Sequence, residues 1–97
     1  MKIVWSPLAL ERVNEIADFL AEESIDAAKI WLMDIFDTVD RLREFPESGR
    51  VVPEVKRSDI REIIFKNYRV IYRVERKQVS ILTVRHSRQR LPVKEIK

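Results

Sequence analysis

The chain has 97 residues, 45% of them apolar, which suffices for one compact domain spanning 1–97 and is too little for two. It has no cysteine, no secretory leader and no apolar run near the roughly 20 residues of a membrane span, which argues against disulfide scaffolds, thiolate metal sites and membrane proteins and gives a cytosolic expectation. Residues 1–49 hold 5 Lys and Arg against 11 Asp and Glu, a net −6, whereas residues 50–97 hold 14 against 5, a net +9, so the second half should attract phosphates or an acidic protein.

Lys2 to Trp5 is a β-branched and aromatic run, read as a short strand. Ser6-Pro7 then supplies an N-cap and a proline suited to the first helical position. From Pro7 to about Glu23 the apolar residues Leu10, Val13, Ile16, Ala17 and Leu20 recur at steps of three and four, the period of an amphipathic helix. Ser24 or Asp26 can cap a second helix running to about Glu44, with Ala28, Trp31, Leu32, Ile35, Phe36, Val39 and Leu42 on its apolar stripe. The pair is expected to form an antiparallel hairpin.

Phe45-Pro46-Glu47-Ser48-Gly49-Arg50 contains the only glycine and ends the helical half. Val51 to Val55 reads as a loop or an irregular edge strand, because Pro53 has no N–H to give a ladder. Alternation resumes at Ile60, and the short connections Lys66-Asn67 and Glu75 to Gln78 predict an antiparallel meander of three strands from Ile60 to Arg85. The expected class is α+β, with an N-terminal strand, an antiparallel helical hairpin and a three-stranded antiparallel meander forming one small sheet packed on the helices.

Alternation also assigns faces. Tyr68, Val70, Tyr72 and Val74 share one face, and Arg69, Ile71, Arg73 and Glu75 share the other, which is expected to look outward. On the last strand Ser80, Leu82, Val84 and His86 alternate with Val79, Ile81, Thr83 and Arg85. Both sets contain large apolar residues, so the buried face stays open and a central strand is suggested. Tyr68 and Tyr72 read as core aromatics with their hydroxyls at the rim, and Trp5 and Trp31 as core.

No glycine-rich phosphate loop and no His-Glu-x-x-His pattern is present, so P-loop hydrolysis and histidine-based metal catalysis are unsupported and no cofactor is expected. Ser87 beside His86 is not a nucleophile and base pair, since neighbouring strand residues point to opposite faces. His86 amid Arg69, Arg85, Arg88 and Arg90 is a group suited to RNA cleavage, the histidine moving a proton and the arginines stabilising a pentavalent phosphate. A strand-end histidine making a structural hydrogen bond is the plainer reading. A non-enzymatic nucleic-acid-binding module using the same positive face is a further alternative.

Taken in order, the opening strand, Trp5-Ser6-Pro7-x-Ala9, the helical hairpin, Phe45-Pro46-x-x-Gly49-Arg50, Arg61-Glu62, Tyr68-Arg69-Val70-Ile71-Tyr72-Arg73 and Val84-Arg85-His86-x-Arg88-x-Arg90 resemble the RelE/ParE superfamily of toxins from type II toxin-antitoxin systems. The resemblance covers nearly the whole chain and is closest to the ParE-like branch. It implies a growth-arresting toxin that inhibits DNA gyrase rather than an enzyme, neutralised by a cognate antitoxin in a hetero-oligomer.

The alternative within the superfamily is a RelE-like endonuclease acting on mRNA at the ribosome. Arg69 and Arg88 match its arginine positions and would join His86 as the catalytic candidates. However, Arg61 to Ile63 occupy the strand where its lysines fall, and no tyrosine follows Tyr72. For target or antitoxin binding the candidates are Arg61, Arg69, Arg73, Arg85, His86, Arg88 and Arg90. Acidic residues of an antitoxin segment that folds on binding would complement the arginines. The tail from Leu91 to Lys97, basic and apolar, is a further candidate for target contact.

Overall fold

The computed structural model describes residues 1–96; Lys97, the last residue of the tail, lies outside the described residues. The elements are β1 (Lys2–Trp5), α1 (Pro7–Ala21), α2 (Ile25–Asp40), β2 (Arg50–Val51), β3 (Ile60–Phe65), β4 (Tyr68–Val74) and β5 (Gln78–His86), with 3-10 turns at Arg41–Arg43 and Val93–Glu95. No helix among the described residues is long and apolar enough to cross a membrane.

Ser6 starts α1 because its extended backbone leaves Oγ free to accept the Ala9 N–H at 3.0 Å, while Pro7 occupies a position whose N–H would have no helical partner. Ser24 does the same for α2, accepting the Ala27 N–H at 3.1 Å, and Asp26 lies inside the first turn, where a negative charge suits the helix dipole. Ala9, Val13 and Ala17 turn α1 towards the sheet, with Ile16 and Leu20 beside them. Leu10, expected on that stripe, lies about 100° round the helix from Ala9 and is exposed. Trp31, Ile35 and Val39 carry the α2 stripe, which Leu42 continues in the following turn. Phe36 stays partly exposed and packs its ring on Trp5 at 4.8 Å.

The expected meander runs from β3 to β5, and two more strands extend it into a five-stranded sheet ordered β1-β5-β4-β3-β2. β1 lies parallel to β5, and β2 is a two-residue antiparallel edge on β3 that stops short of Pro53. The open choice of face on β5 has a structural cause. Ile71 pairs with Thr83 but Tyr72 pairs with Ile81, so Leu82 is an extra residue bulging out of the ladder. Parity switches there: Val79 and Ile81 face the helices before it and Val84 after it, while Leu82 packs on the far side.

One face of the sheet closes on the hairpin in a core that includes Val70, Tyr72, Val79, Ile81 and Val84. The opposite face, expected to look outward, is covered. Ile71 there is fully buried with Val52, Ile60, Leu82 and Leu91, and Val55 and Ile96 pack at the margin. Arg69, on the same face, is only 6% exposed. Alternation shows which residues share a face, and here the turn after β2 and the returning tail cover that face.

Candidate functional site

The pairing of β4 with β5 sets Tyr68 opposite His86 and Arg69 opposite Arg85, so the two pairs point to opposite faces. On the tail side Arg69 is held as a bidentate fork, Nη1 and Nη2 each 2.8 Å from an oxygen of Glu54, while its Nε donates to Glu62. Glu62, 1% exposed, also accepts from Arg50 Nε. Hydrogen bonds from Arg69 hold the Glu54 carboxyl down at about 2, against the opposing effect of burial, and the same pairing raises the Arg69 guanidinium further. Arg69 is therefore a neutralised structural cation rather than part of a free basic face.

Two further candidates are tied down as well. Arg61 donates to Gly49 O at 2.9 Å and to Ser58 O at 3.0 Å, fastening the loop that leads into β2. Arg85 donates from Nη1 to Glu95 at 3.1 Å. By contrast, Arg73, Arg88 and Arg90 make no ion pair among the described residues.

His86 ends an aromatic series that leads out of the core. Phe65 meets Trp31 at 5.8 Å, Trp31 meets Tyr68 at 5.5 Å, and Tyr68 meets the His86 ring at 5.6 Å, each edge to face. Nδ1 of His86 accepts the Arg88 N–H at 3.2 Å, which places the neutral ring's proton on Nε2. The imidazole thus accepts a local hydrogen bond at the end of the strand. It also lines a cleft of about 280 Å³ with Arg12, Glu15, Ile16, Tyr68, Val84, Arg85 and Gln89.

The suggested trio of Arg69, His86 and Arg88 is not assembled: His86 and Arg88 are neighbours at the end of β5, while Arg69 is engaged on the opposite face. Sequence reasoning missed Arg12, Glu15 and Gln89 in the cleft. Arg12 and Glu15 are polar positions of an amphipathic helix, and nothing in their spacing signals that α1 runs beside the end of β5. Glu95 was missed too, since a tail without periodicity gives no indication of where it returns.

A family model described as the ParE toxin of type II toxin-antitoxin systems, parDE, matches residues 3–91. Y4kP, a candidate toxin of Sinorhizobium fredii, is 36% identical over 93 residues, covering 94% of this chain and 93% of its own. A chain from the chromosomal ParDE toxin-antitoxin system of P. aeruginosa has the same fold, with a TM-score of 0.74 at 20% identity over 89% of this chain and 95% of that one.

Proposed function

Because the chain belongs to the ParE toxin family of type II toxin-antitoxin systems, we propose that it arrests growth by inhibiting DNA gyrase and that a cognate antitoxin neutralises it in a hetero-oligomer. The observation that supports an inhibitor over a ribosome-dependent nuclease is the separation of Arg69 from His86. Cleavage through a 2′-hydroxyl needs a proton-transfer group and cations converging on one phosphate. Here one arginine is spent on two carboxylates behind the sheet while the histidine opens in front of it.

Target contact falls to those candidate cations that have no carboxylate among the described residues: Arg88 and Arg90, which follow His86 at the end of β5, and Arg73, which lies opposite Ser80 towards the other end of that strand. The antitoxin is assigned to the helical hairpin, where Phe19 is 68% exposed and Met33 67%, with Ile25 and Ile30 also outside the core. Large apolar side chains concentrated on one solvent-facing element suit a segment that folds as it binds.

The test is a supercoiling assay with purified gyrase, with DNA integrity and bulk translation followed after induction in cells. Inhibited supercoiling with translation still running is expected, and the combined change of Arg73, His86, Arg88 and Arg90 to alanine should abolish it in a folded protein. Immediate translational arrest with messenger cut at ribosome-bound codons would overturn the gyrase assignment.

A further inference from the structure

The tail carries a carboxylate that sits in a site built by the rest of the molecule. Glu95 accepts three hydrogen bonds: Thr83 Oγ1 reaches Oε1 at 2.8 Å, and Arg12 Nη2 and Arg85 Nη1 each reach Oε2 at 3.1 Å. Burial pushes the Glu95 carboxyl up, but the bonds from Thr83 and Arg12 and the charges of Arg85 and Arg12 outweigh it and leave the group lowered. The side chain of Glu95 is 7% exposed. A buried carboxylate so fully provided for marks a place where an anion is strongly favoured.

Three observations separate this arrangement from an ordinary ion pair. The donors outnumber what one carboxylate can use: Nε of Arg12 and Nε of Arg85 are both enclosed and have no hydrogen-bond partner among the described residues. Arg12 and Arg85 also line the cleft, whose walls of Ile16, Tyr68 and Val84 offer apolar surface next to the charge. Finally, Arg12, Thr83 and Arg85 lie within the stretch matched by the family, residues 3–91, whereas Glu95 comes after it.

The segment beyond Leu91, which is itself buried and bonded to Glu54, has few anchors of its own. Among the described side chains it meets the domain through Glu95 and the partly buried Ile96, and the Glu95 N–H bonds to Pro92 O within its own turn. Segments held by few apolar contacts open at a fraction of the global stability.

We propose that Arg12, Thr83 and Arg85 form a carboxylate-binding site, that Glu95 fills it in the isolated chain, and that an acidic side chain of a partner peptide replaces Glu95 when the tail lifts. The preferred ligand carries an apolar residue next to its carboxylate, to meet Ile16, Tyr68 and Val84. Exposed Arg88 and Arg90 beyond the cleft favour further acidic residues along the same peptide. The inference concerns the control of binding by the chain's own tail and stands apart from the choice of gyrase or ribosome as target.

The test uses the full chain and a fluorescein-labelled hexapeptide of alternating glutamate and leucine, with anisotropy as readout. Glu95→Gln keeps the shape of the tail but removes the competing charge, and it should tighten peptide binding by about tenfold or more, as expected when an internal competitor is withdrawn. Ile96→Ser leaves Glu95 in place and loosens the tail, so it should give a smaller gain. Adding Arg85→Gln to Glu95→Gln should erase the gain.

The proposal is overturned if Glu95→Gln binds like the parent while circular dichroism shows it folded. It also fails if the gain survives loss of Arg85, which would place the peptide on Arg88 and Arg90, or if an oligonucleotide of equal charge outcompetes the peptide, which would make the ligand a phosphate. Should Glu95→Gln not fold, Ile96→Ser decides alone: tighter binding supports the site and unchanged binding refutes it.

Discussion

The two faces of the sheet are closed by different forces. Against the hairpin, Trp31, Ile35, Val39, Val70, Tyr72 and Ile81 interdigitate without a charged group among them, so that side is stabilised by apolar burial and packing. Against the turn after β2 and the tail, a smaller apolar patch around Ile71 is flanked by charge clusters, Arg69 with Glu54 and Glu62 on one side and Glu95 with Arg12 and Arg85 on the other. Charges are tolerated there because each is paired. The first face should therefore be nearly indifferent to acid, whereas the second should loosen when its carboxylates are protonated.

The comparison breaks most sharply at the centre of each face. Ile35→Ala, fully buried under the hairpin, should cost about 2–5 kcal/mol in urea denaturation. Glu62→Gln should cost about 3 kcal/mol by leaving Arg50 and Arg69 short of a charge, with Glu54 keeping the loss from being larger. A Glu62→Gln protein as stable as its parent would mean that the second face does not depend on its charges.

A smaller effect tests where the faces meet the loop at Gly49. Tyr72 Oη donates to Pro46 O at 2.8 Å and accepts the Gly49 N–H at 3.0 Å, so Tyr72→Phe strands two backbone groups and should cost about 1–2 kcal/mol by thermal melting. The smallest change, but the most diagnostic, is in pH dependence. The Glu54 carboxyl falls from its ordinary value of 4.5 to about 2 on folding, so its stabilisation is present above pH 4.5 and is lost as pH falls towards 2. The melting temperature of the parent should drop through that window. Glu54→Gln should start lower at neutral pH and drop less, and parallel curves for the two proteins would sink this account.

Much of the fold was legible from the chain alone. Ser6-Pro7, the two apolar stripes, the break at Phe45-Pro46 and the strand alternation each carry a local cause, and the elements appear in the expected order, with Leu10 off its stripe and the second helix ending at Asp40 rather than near Glu44. Tyr72 also kept its hydroxyl at the rim of the core, bonded to the loop. What escaped depends on contacts between distant residues. The bulge at Leu82 has no local signal, because both parities of β5 are apolar and only its partner strand fixes where the register shifts. The site was less legible than the fold. Arg69, Arg85 and Arg88 look alike in sequence, yet one is buried by Glu54 and Glu62, one is paired by Glu95, and one is exposed. A side chain's type gives its charge, and only the fold decides whether a carboxylate reaches it.

The parallel pairing of β1 with β5 bears on how this molecule comes into being. Lys2 aligns with Gln78, and Ser6, which caps α1, also binds the Leu82 carbonyl at 2.9 Å, 76 residues away in sequence. β1 must therefore wait for β5, which follows it by more than 70 residues, since contacts of such separation form only after a large loop has closed. On the ribosome the hairpin can form early, but the sheet beneath it cannot close until β5 has emerged. Until then a nascent chain carries β1 and the hairpin without the strand that joins them to the rest of the sheet.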